Sequence, residues 1–224
     1  MIRLGRWQDV LADVKVDCIL TDPPYSSRTH DGLNEYVESG GFNDGTERQA
    51  ICYASWTADT VAEFIGAWSG RVRGWWGCMT SHDLIPAYEA AYRAAGLYAF
   101  SPVPIIQKRP RLVGDGPSSW AVYMMVARPK NVEFSRWGCL PGAYEAGTVK
   151  GSGIAGTKPL GLMRAIVRDY SKPGDLVCDP FVGSGTTAIA ALSEGRRFVG
   201  SEMDPKHHAI ATARLARGYT PDLF

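Results

Sequence analysis

The amino-acid sequence predicts an α/β protein with a doubly wound, mostly parallel, Rossmann-like sheet. Three observations lead to this prediction. Apolar runs of strand length alternate with segments in which apolar residues recur at helical spacing. Two glycines, Gly183 and Gly185, follow one strand-like run, and the pair Asp204-Pro205 follows the next; each pattern is typical of a helix start. Strands that alternate with helices favour a parallel sheet covered by helices on both faces.

The strands are predicted from their apolar content. Seven runs qualify, at residues 1–7, 14–21, 71–79, 97–107, 120–127, 175–179 and 197–202. Pro102 and Pro104 interrupt the fourth run, and a proline removes a backbone donor from a strand. Residues 130–156 show no regular pattern. The sequence therefore predicts a seven-stranded sheet with an irregular segment before its C-terminal third.

The helices are predicted from apolar periodicity and from end signals. Asp59 is expected to cap a helix whose apolar face includes Trp68. Asp204 is expected to cap the last helix, because a proline at the first helical position follows it. Further helices are predicted at residues 83–95, 160–170 and 186–192, and the helix capped by Asp204 begins at Pro205.

Length and composition predict a single globular domain, residues 1–224. The chain is 45% hydrophobic and 21% charged, and its net charge is +1. A nearly neutral chain has no uniformly basic surface, so a nucleic-acid partner would have to be held by local basic patches. The sequence shows no signal peptide and no apolar run of membrane-spanning length, which predicts a cytoplasmic protein with no membrane partner.

The cysteine pattern argues against a metal centre. Five cysteines are scattered along the chain, and none lies at C-x-x-C spacing. Cys18 and Cys178 lie inside apolar runs, which is typical of reduced, buried thiols. The sequence therefore predicts no zinc site.

The first motif with chemical meaning is TDPPY, at residues 21–25, directly after an apolar strand. Two successive prolines cannot continue a strand or enter a helix interior, because both lack a backbone donor and have a fixed φ. The strand therefore ends in a carboxylate at Asp22, a rigid carbonyl at Pro23 and a ring at Tyr25. The two acceptors suit the protons of an exocyclic amine, whose lone pair they localise on nitrogen. The ring offers a face on which a planar base stacks.

The second motif is DPFVGSGTTA, at residues 179–188. It follows a strand, opens a helix and fits the G-x-G-x-x-G/A fingerprint, in which glycines let the backbone approach a ligand at a helix N-terminus. No lysine follows the glycines, so the motif is not a P-loop. Glu202 ends the next strand, where an acid would bind ribose hydroxyls. The motif predicts a nucleotide-like cofactor, and a glycine turn needed only for packing is the alternative.

Together, the two motifs resemble those of the S-adenosylmethionine-dependent DNA amino-methyltransferases, and the resemblance extends through residues 158–215. The motif order, TDPPY first and the glycine loop last, resembles that of the family's circularly permuted β class. The resemblance implies the methyltransferase sheet, S-adenosyl-L-methionine as cofactor and double-stranded DNA as partner. Asp before the prolines is similar to the N6-adenine enzymes, whereas the N4-cytosine enzymes have Ser. It thus implies a site-specific DNA-methyltransferase (adenine-N6-specific) that acts on a base flipped out of the duplex.

The same resemblance implies roles for individual residues. Four residues would hold the target base: Asp22, Pro23, Pro24 and Tyr25. Asp9 lies where the family has an acid near the cofactor adenine. The other cofactor contacts would come from Lys158, Pro159, Asp179, Phe181, Gly183, Gly185, Thr186, Glu202 and Met203.

The DNA-binding surface is predicted from loops rather than from a separate domain. The family usually carries target recognition before the match to Lys158, and that window, residues 128–157, is short here. Two loop regions, 26–55 and 105–157, are therefore candidates for DNA contact. Their candidate DNA-binding side chains are Arg28, His30, Lys108, Arg109 and Arg111. The family is often dimeric, so a homodimer is a further expectation.

Three other interpretations of the sequence remain open. A DNA cytosine-N4 methyltransferase would need the same two acceptors for its target amine. A non-catalytic DNA-binding relative would keep the fold, although the intact Asp22, Tyr25 and loop glycines argue against it. A dinucleotide-dependent oxidoreductase fits the glycine loop but leaves TDPPY unexplained.

Overall fold

The computed structural model describes residues 1–29, 31, 54–107, 120–131, 137–147 and 156–217. In these ranges the chain forms nine strands, which are β1 Ile2–Leu4, β2 Cys18–Thr21, β3 Trp76–Thr80, β4 Leu97–Ala99, β5 Val103–Gln107, β6 Ala121–Pro129, β7 Tyr144–Ala146, β8 Leu176–Asp179 and β9 Arg197–Glu202. The helices are α1 Trp7–Val10, α2 Ala58–Trp68, α3 Ile85–Ala94, α4 Leu160–Tyr170, α5 Thr186–Ser193 and α6 Pro205–Ala216, with a 3₁₀ turn at His82–Leu84.

All nine strands belong to one sheet, in the order β1-β9-β8-β2-β3-β6-β5-β7, with β4 also paired to β6. The first five strands of this order run parallel. β6 runs antiparallel to β3, β4 and β5, and β7 is parallel to β5. The mostly parallel sheet predicted from the sequence is therefore confirmed.

Helices cover both faces of the sheet, as a doubly wound fold requires. On one face α4 and α5 pack over a core that includes Met163, Ile166 and Ala190. On the other face α2 and α3 pack over a second core that includes Phe64 and Tyr88. Each of these four helices buries several residues against the sheet.

The sheet has two more strands than the seven that the apolar runs predict. The run at 97–107 divides into β4 and β5, which pair separately with β6, and Pro102 lies between them. β7 lies within the segment predicted to be irregular, where it pairs with β5. A strand of three residues is too short to show an alternating pattern, so only its pairing reveals it.

The helix caps divide into one correction and one confirmation. Thr57, not Asp59, caps α2: its hydroxyl accepts from the Thr60 backbone N–H, and the Thr60 hydroxyl accepts from the Thr57 N–H in return. Asp59 lies in the first turn, where its charge favours the helix dipole. Asp204 caps α6 as predicted, since its carboxylate accepts backbone N–H bonds at 2.7 and 2.9 Å.

The described residues also bear on thiols, metal binding and membrane spans. Cys18 and Cys178 are buried free thiols, as predicted. Within the described ranges, no group of three or more His, Cys, Asp or Glu side chains is placed to hold a metal ion. In the same part of the chain, no helix has both the length and the apolar character needed to cross a membrane.

Candidate active site

Three acidic residues lie at the carboxyl ends of three adjacent parallel strands. Asp22 follows β2, Asp179 ends β8 and Glu202 ends β9, and these strands are neighbours in the sheet. All three side chains line one cavity of about 420 Å³. Ligands of open α/β sheets bind in a crevice outside the carboxyl ends of the strands. The cavity is therefore the candidate active site.

Asp179 is the most deeply buried of these acids, with 1% of its surface exposed. Its Oδ1 accepts from the Thr21 hydroxyl at 2.6 Å and from the Phe181 backbone N–H at 3.0 Å. Burial raises the pKa of Asp179 to about 6, although hydrogen bonds from Thr21 and Thr187 act in the opposite direction. The bond from Thr21 also links β8 to the strand that leads into Asp22.

The glycine loop wraps around Glu202. The Gly183 N–H donates to Glu202 Oε2 at 2.8 Å, and the Asp204 N–H donates to Oε1 at 2.9 Å. The Glu202 side chain is thereby fixed, with 8% of its surface exposed, in the wall of the cavity. Two backbone donors thus fix the orientation of the carboxylate.

Glycine is required in this loop for conformation and for space. Gly183 has a φ of +51° and Gly185 a φ of +85°, values that L side chains rarely adopt. A Cβ on Gly185 would lie 3.2 Å from the Cβ of Ala211 in α6. Gly185 does not line the cavity; it lets α5 begin close to α6 and so sets the direction of the helix start.

The Asp22 carboxylate is held by two side chains. The Tyr25 hydroxyl donates to Oδ1 at 2.9 Å, and the Lys158 ammonium donates to Oδ2 and forms an ion pair. The Lys158 Nζ also lies 5.5 Å from the centre of the Tyr25 ring. Lys158 is 136 positions away from Asp22 in the chain, so the tertiary fold alone creates this contact.

The structure brings most of the predicted site residues into one cavity. The predicted residues that line it are Asp22, Pro24, Lys158, Asp179, Phe181, Gly183, Thr186, Glu202 and Met203. Those that lie behind or beside the lining are Asp9, Pro23, Tyr25, Pro159 and Gly185. Asp9 is exposed on α1, and the preceding residue, Gln8, lines the cavity instead. The role of Asp9 near the cofactor adenine stays a prediction.

An aromatic wall of the cavity was not predicted. Trp56 and Phe64 lie against Phe181, with ring centres 5.3 and 5.7 Å apart, and Trp56 also contacts Phe64. The backbone N–H of Trp56 donates to the backbone carbonyl of Tyr25 at 2.9 Å, which joins this wall to the TDPPY turn. A tryptophan directly before a helix cap was the one available signal, and it does not specify a partner.

The predicted DNA-contacting side chains are only partly described. Arg28 is exposed, and its Nη1 lies 3.5 Å from His82 Nε2, beyond the carboxyl end of β3. The others, His30, Lys108, Arg109 and Arg111, lie outside the described residues.

The hairpin of β5 and β6 projects from the same edge of the sheet as the acids. Thr80, the last residue of β3, pairs with Tyr123, whereas β6 begins at Ala121 and the Gln107 N–H donates to the Trp120 carbonyl at 2.7 Å. Three residues beyond the end of β3 correspond to about 10 Å. Trp120, on this projection, is 54% exposed. Its role was not predictable from the sequence, in which it only begins an apolar run.

The sequence is similar to known proteins over part of its length. Residues 126–213 match a family model described as DNA methylase. The type II methyltransferase M.BglI of Bacillus subtilis is 43% identical over 61 residues, 27% of this chain and 18% of that protein. M.Cfr9I of Citrobacter freundii is 44% identical over 59 residues, 26% of this chain and 20% of that protein. The matches thus span about a fifth to a quarter of the length of the curated relatives.

Solved structures match over nearly the whole chain. The M1.HpyAVI–SAM complex has a TM-score of 0.67 at 21% identity, covering 96% of this chain and 98% of that one. The cytosine-N4-specific PvuII DNA methyltransferase has a TM-score of 0.68 at 13% identity, covering 100% and 87%. The described chain therefore has the fold of these methyltransferases, and its residues 126–213 are similar in sequence to DNA methylases.

Proposed function

We propose that this protein is a DNA methyltransferase that moves a methyl group from S-adenosyl-L-methionine to the N6 amine of adenine. One observation carries the proposal: the glycine loop, Glu202 and the Asp22 carboxylate line a single cavity. A cofactor and a target base must both reach such a cavity for direct transfer. Similarity to DNA methylases over residues 126–213 supports DNA as the substrate.

The chemistry of the cavity fits the proposed cofactor. Its volume, about 420 Å³, lies within the usual range for small-molecule sites. Glu202 offers carboxylate oxygens for ribose hydroxyls, and Asp179 offers a carboxylate for an ammonium group. Met203, which is 63% exposed, and the aromatic wall offer apolar surface to adenine. When bound, the cofactor would supply an electrophilic methyl group on a sulphonium, so no covalent enzyme intermediate is needed.

The protein's own contribution to transfer would be orientation and charge. Asp22 and the Pro23 carbonyl accept the two protons of the target amine, and the prolines keep these acceptors fixed. The amine nitrogen gains positive charge during transfer, so hydrogen bonds to a carboxylate strengthen in the transition state. Tyr25 would stack on the flipped base, which offsets part of the unstacking cost.

Two surfaces at the edge of the sheet would contact double-stranded DNA. The projecting β5–β6 hairpin leads into the segment that carries Lys108, Arg109 and Arg111. Arg28 lies at the start of the other candidate loop, residues 26–55. We assign both candidate loop regions, residues 26–55 and residues 105–157, to DNA binding. Both belong to a single methyltransferase domain of residues 1–224. The motif order supports the β class as part of this proposal. We also propose a homodimer, because the family that the motifs resemble is often dimeric, and the bacterial or host-cell cytoplasm as the location.

The proposal is tested by nucleoside mass spectrometry of DNA incubated with the protein and methyl-labelled S-adenosylmethionine. Label in N6-methyladenine is expected. Label in N4-methylcytosine would keep the reaction and overturn the choice of base. If no label appears on unmethylated DNA although calorimetry shows S-adenosylhomocysteine bound, the proposed activity is wrong. If calorimetry shows NAD bound in its place, the cofactor is wrong too.

A further inference from the structure

The acceptor that the proposed reaction needs is already occupied. Asp22 Oδ1 accepts from the Tyr25 hydroxyl, and Oδ2 accepts from the Lys158 ammonium. The pair with Lys158 is partly shielded from solvent, since 17% of the lysine side chain and 26% of the aspartate side chain are exposed. An ammonium group on Oδ2 competes with a target amine for that oxygen and draws negative charge away from the second lone pair. Release of Asp22 by Lys158 would therefore give the target amine a stronger acceptor.

Lys158 also lies at the end of the cavity that lacks any other cation in the described lining. Among the described residues that line the cavity, the Lys and Arg side chains are Lys158 and Arg6. Arg6 lies at the Glu202 end, because the neighbouring Gly5 N–H donates to the Glu202 carbonyl at 2.9 Å. Lys158 lies at the opposite end, beside Asp22, and the residue before Asp22, Thr21, donates its hydroxyl to Asp179 at 2.6 Å. A carboxylate bound at the Asp179 end would meet Lys158.

We propose that Lys158 couples the two halves of the site by exchanging one carboxylate for another. In the free protein it pairs with Asp22; with cofactor bound it pairs with the carboxylate of the methionine moiety, and Asp22 becomes available to the target amine. This inference rests on the proposed function. Its consequence is an order of events, cofactor first and base second, set by one ammonium group.

The exchange predicts a change in cofactor affinity that can be measured without DNA. Breaking the pair of Lys158 and Asp22 opposes cofactor binding, so removing the charge of Asp22 should strengthen binding. Coupling of this kind is reciprocal. The free energy by which the pair of Lys158 and Asp22 opposes cofactor binding is the same free energy by which bound cofactor weakens that pair. A role of Asp22 confined to structure predicts the opposite sign or no change.

The experiment is calorimetric titration of the wild type and Asp22→Asn with two ligands. S-adenosylhomocysteine carries the carboxylate; S-adenosyl-3-thiopropylamine keeps the amine but has no carboxylate. Asp22→Asn should bind the first ligand roughly five- to tenfold more tightly, as suits a pair between the exposed and buried limits. It should bind the second ligand no more tightly than the wild type does. Thermal melting establishes that the variant is folded, and Asp22→Ser serves if Asn is not.

Lys158→Met is the matched background for the same comparison. In Lys158→Met protein, Asp22→Asn should no longer tighten binding of S-adenosylhomocysteine, because no ammonium group remains to be exchanged. Equal tightening with and without Lys158 would show direct repulsion between two carboxylates and would overturn the proposal. So would no tightening in the wild-type background. If the folded wild type binds neither ligand, the proposed cofactor is itself wrong, an outcome distinct from loss of coupling.

Discussion

The two halves of the sheet present different chemistry at the same edge. In the parallel half, β9, β8 and β2 end in or directly before Glu202, Asp179 and Asp22. In the antiparallel half, β5 ends at Gln107 and β6 starts beside Trp120, so an amide and an exposed indole replace the acids. In the described residues, this edge therefore carries acidic side chains on its parallel half and uncharged side chains on its antiparallel half.

Strand direction explains the division. Parallel strands bring all their carboxyl ends to one edge, where the loops that follow can converge on a ligand. In the antiparallel half, β6 begins at this edge and its partner β5 ends there, so the two strands extend past the end of β3. The parallel half is therefore suited to a small ligand, and the projecting hairpin to a large one.

The largest expected effect comes from removing the acid that faces the target base. Asp22→Ala should lower methyl transfer by about 10²–10³-fold, because the amine loses a charged acceptor that acts in the transition state. Binding of S-adenosylhomocysteine should be at least as tight as in the wild type, since Asp179 and Glu202 are unchanged and Lys158 no longer pairs with Asp22. The measurement is single-turnover transfer of labelled methyl to DNA, beside calorimetry of the same preparation. Transfer at the wild-type rate would contradict the assigned role of Asp22.

The next effect is on stability and comes from Asp179. Burial raises the pKa of this carboxyl from 3.8 to about 6, so the native state takes up a proton between pH 6 and 4 that the unfolded chain does not. The ionised form therefore costs stability above pH 6, and this cost disappears as the pH falls towards 4. Asp179→Asn has no such cost at any pH.

Denaturant unfolding of both proteins at pH 4 and pH 7 measures this term. Between pH 7 and pH 4 the wild type should gain about 2 kcal/mol in free energy of unfolding relative to Asp179→Asn. The difference between the two proteins isolates Asp179 from carboxylates such as Asp204, whose pKa is lowered by backbone hydrogen bonds from its own cap. Parallel pH dependence in the two proteins would mean that Asp179 is solvated.

The parallel half of the site was largely predictable from sequence because its signals are local. Gly183 and Gly185 adopt positive φ, Asp204 caps its helix, and Glu202 ends its strand, each within a few residues of the motif that marks it. The pairing of Lys158 with Asp22 was not predictable, since 136 positions separate the two. The sequence alone specifies neither the partner of Lys158 nor the distance between the two side chains.

Other features that the sequence did not specify have equally simple physical causes. Adjacent residues on a helix point about 100° apart, so within the single turn of α1 the sequence could not decide whether Gln8 or Asp9 faces the cavity. β7, at Tyr144–Ala146, has only three residues and depends on its pairing with β5. Trp56 belongs to the site through contact with Phe64 and Phe181, which only packing reveals.

A smaller loss of stability is expected from a side chain in the glycine loop. Gly185→Ala places a Cβ at a φ of +85° and 3.2 Å from Ala211, which should cost about 1–3 kcal/mol. Gly195→Ala is the matched control, because Gly195 has a φ of +75° but nothing within 4 Å of its Cβ position. Thermal melting and calorimetry should show that Gly185→Ala alone also weakens binding of S-adenosylhomocysteine. Equal losses in both variants would show that backbone strain, not the approach of α6, determines the loop.

The smallest effect tests the antiparallel half. Trp120→Ala should weaken DNA binding by about 1 kcal/mol, or roughly fivefold, through loss of stacking. Tyr98→Ala is the matched control, because Tyr98 is a 48% exposed aromatic residue that pairs with Arg128 at the opposite edge of the sheet. Fluorescence anisotropy with labelled duplex should separate the two variants, while their affinity for S-adenosylhomocysteine stays at the wild-type value. Equal weakening by both substitutions would mean that the hairpin does not face DNA, and would leave the acidic half of the edge as the whole site.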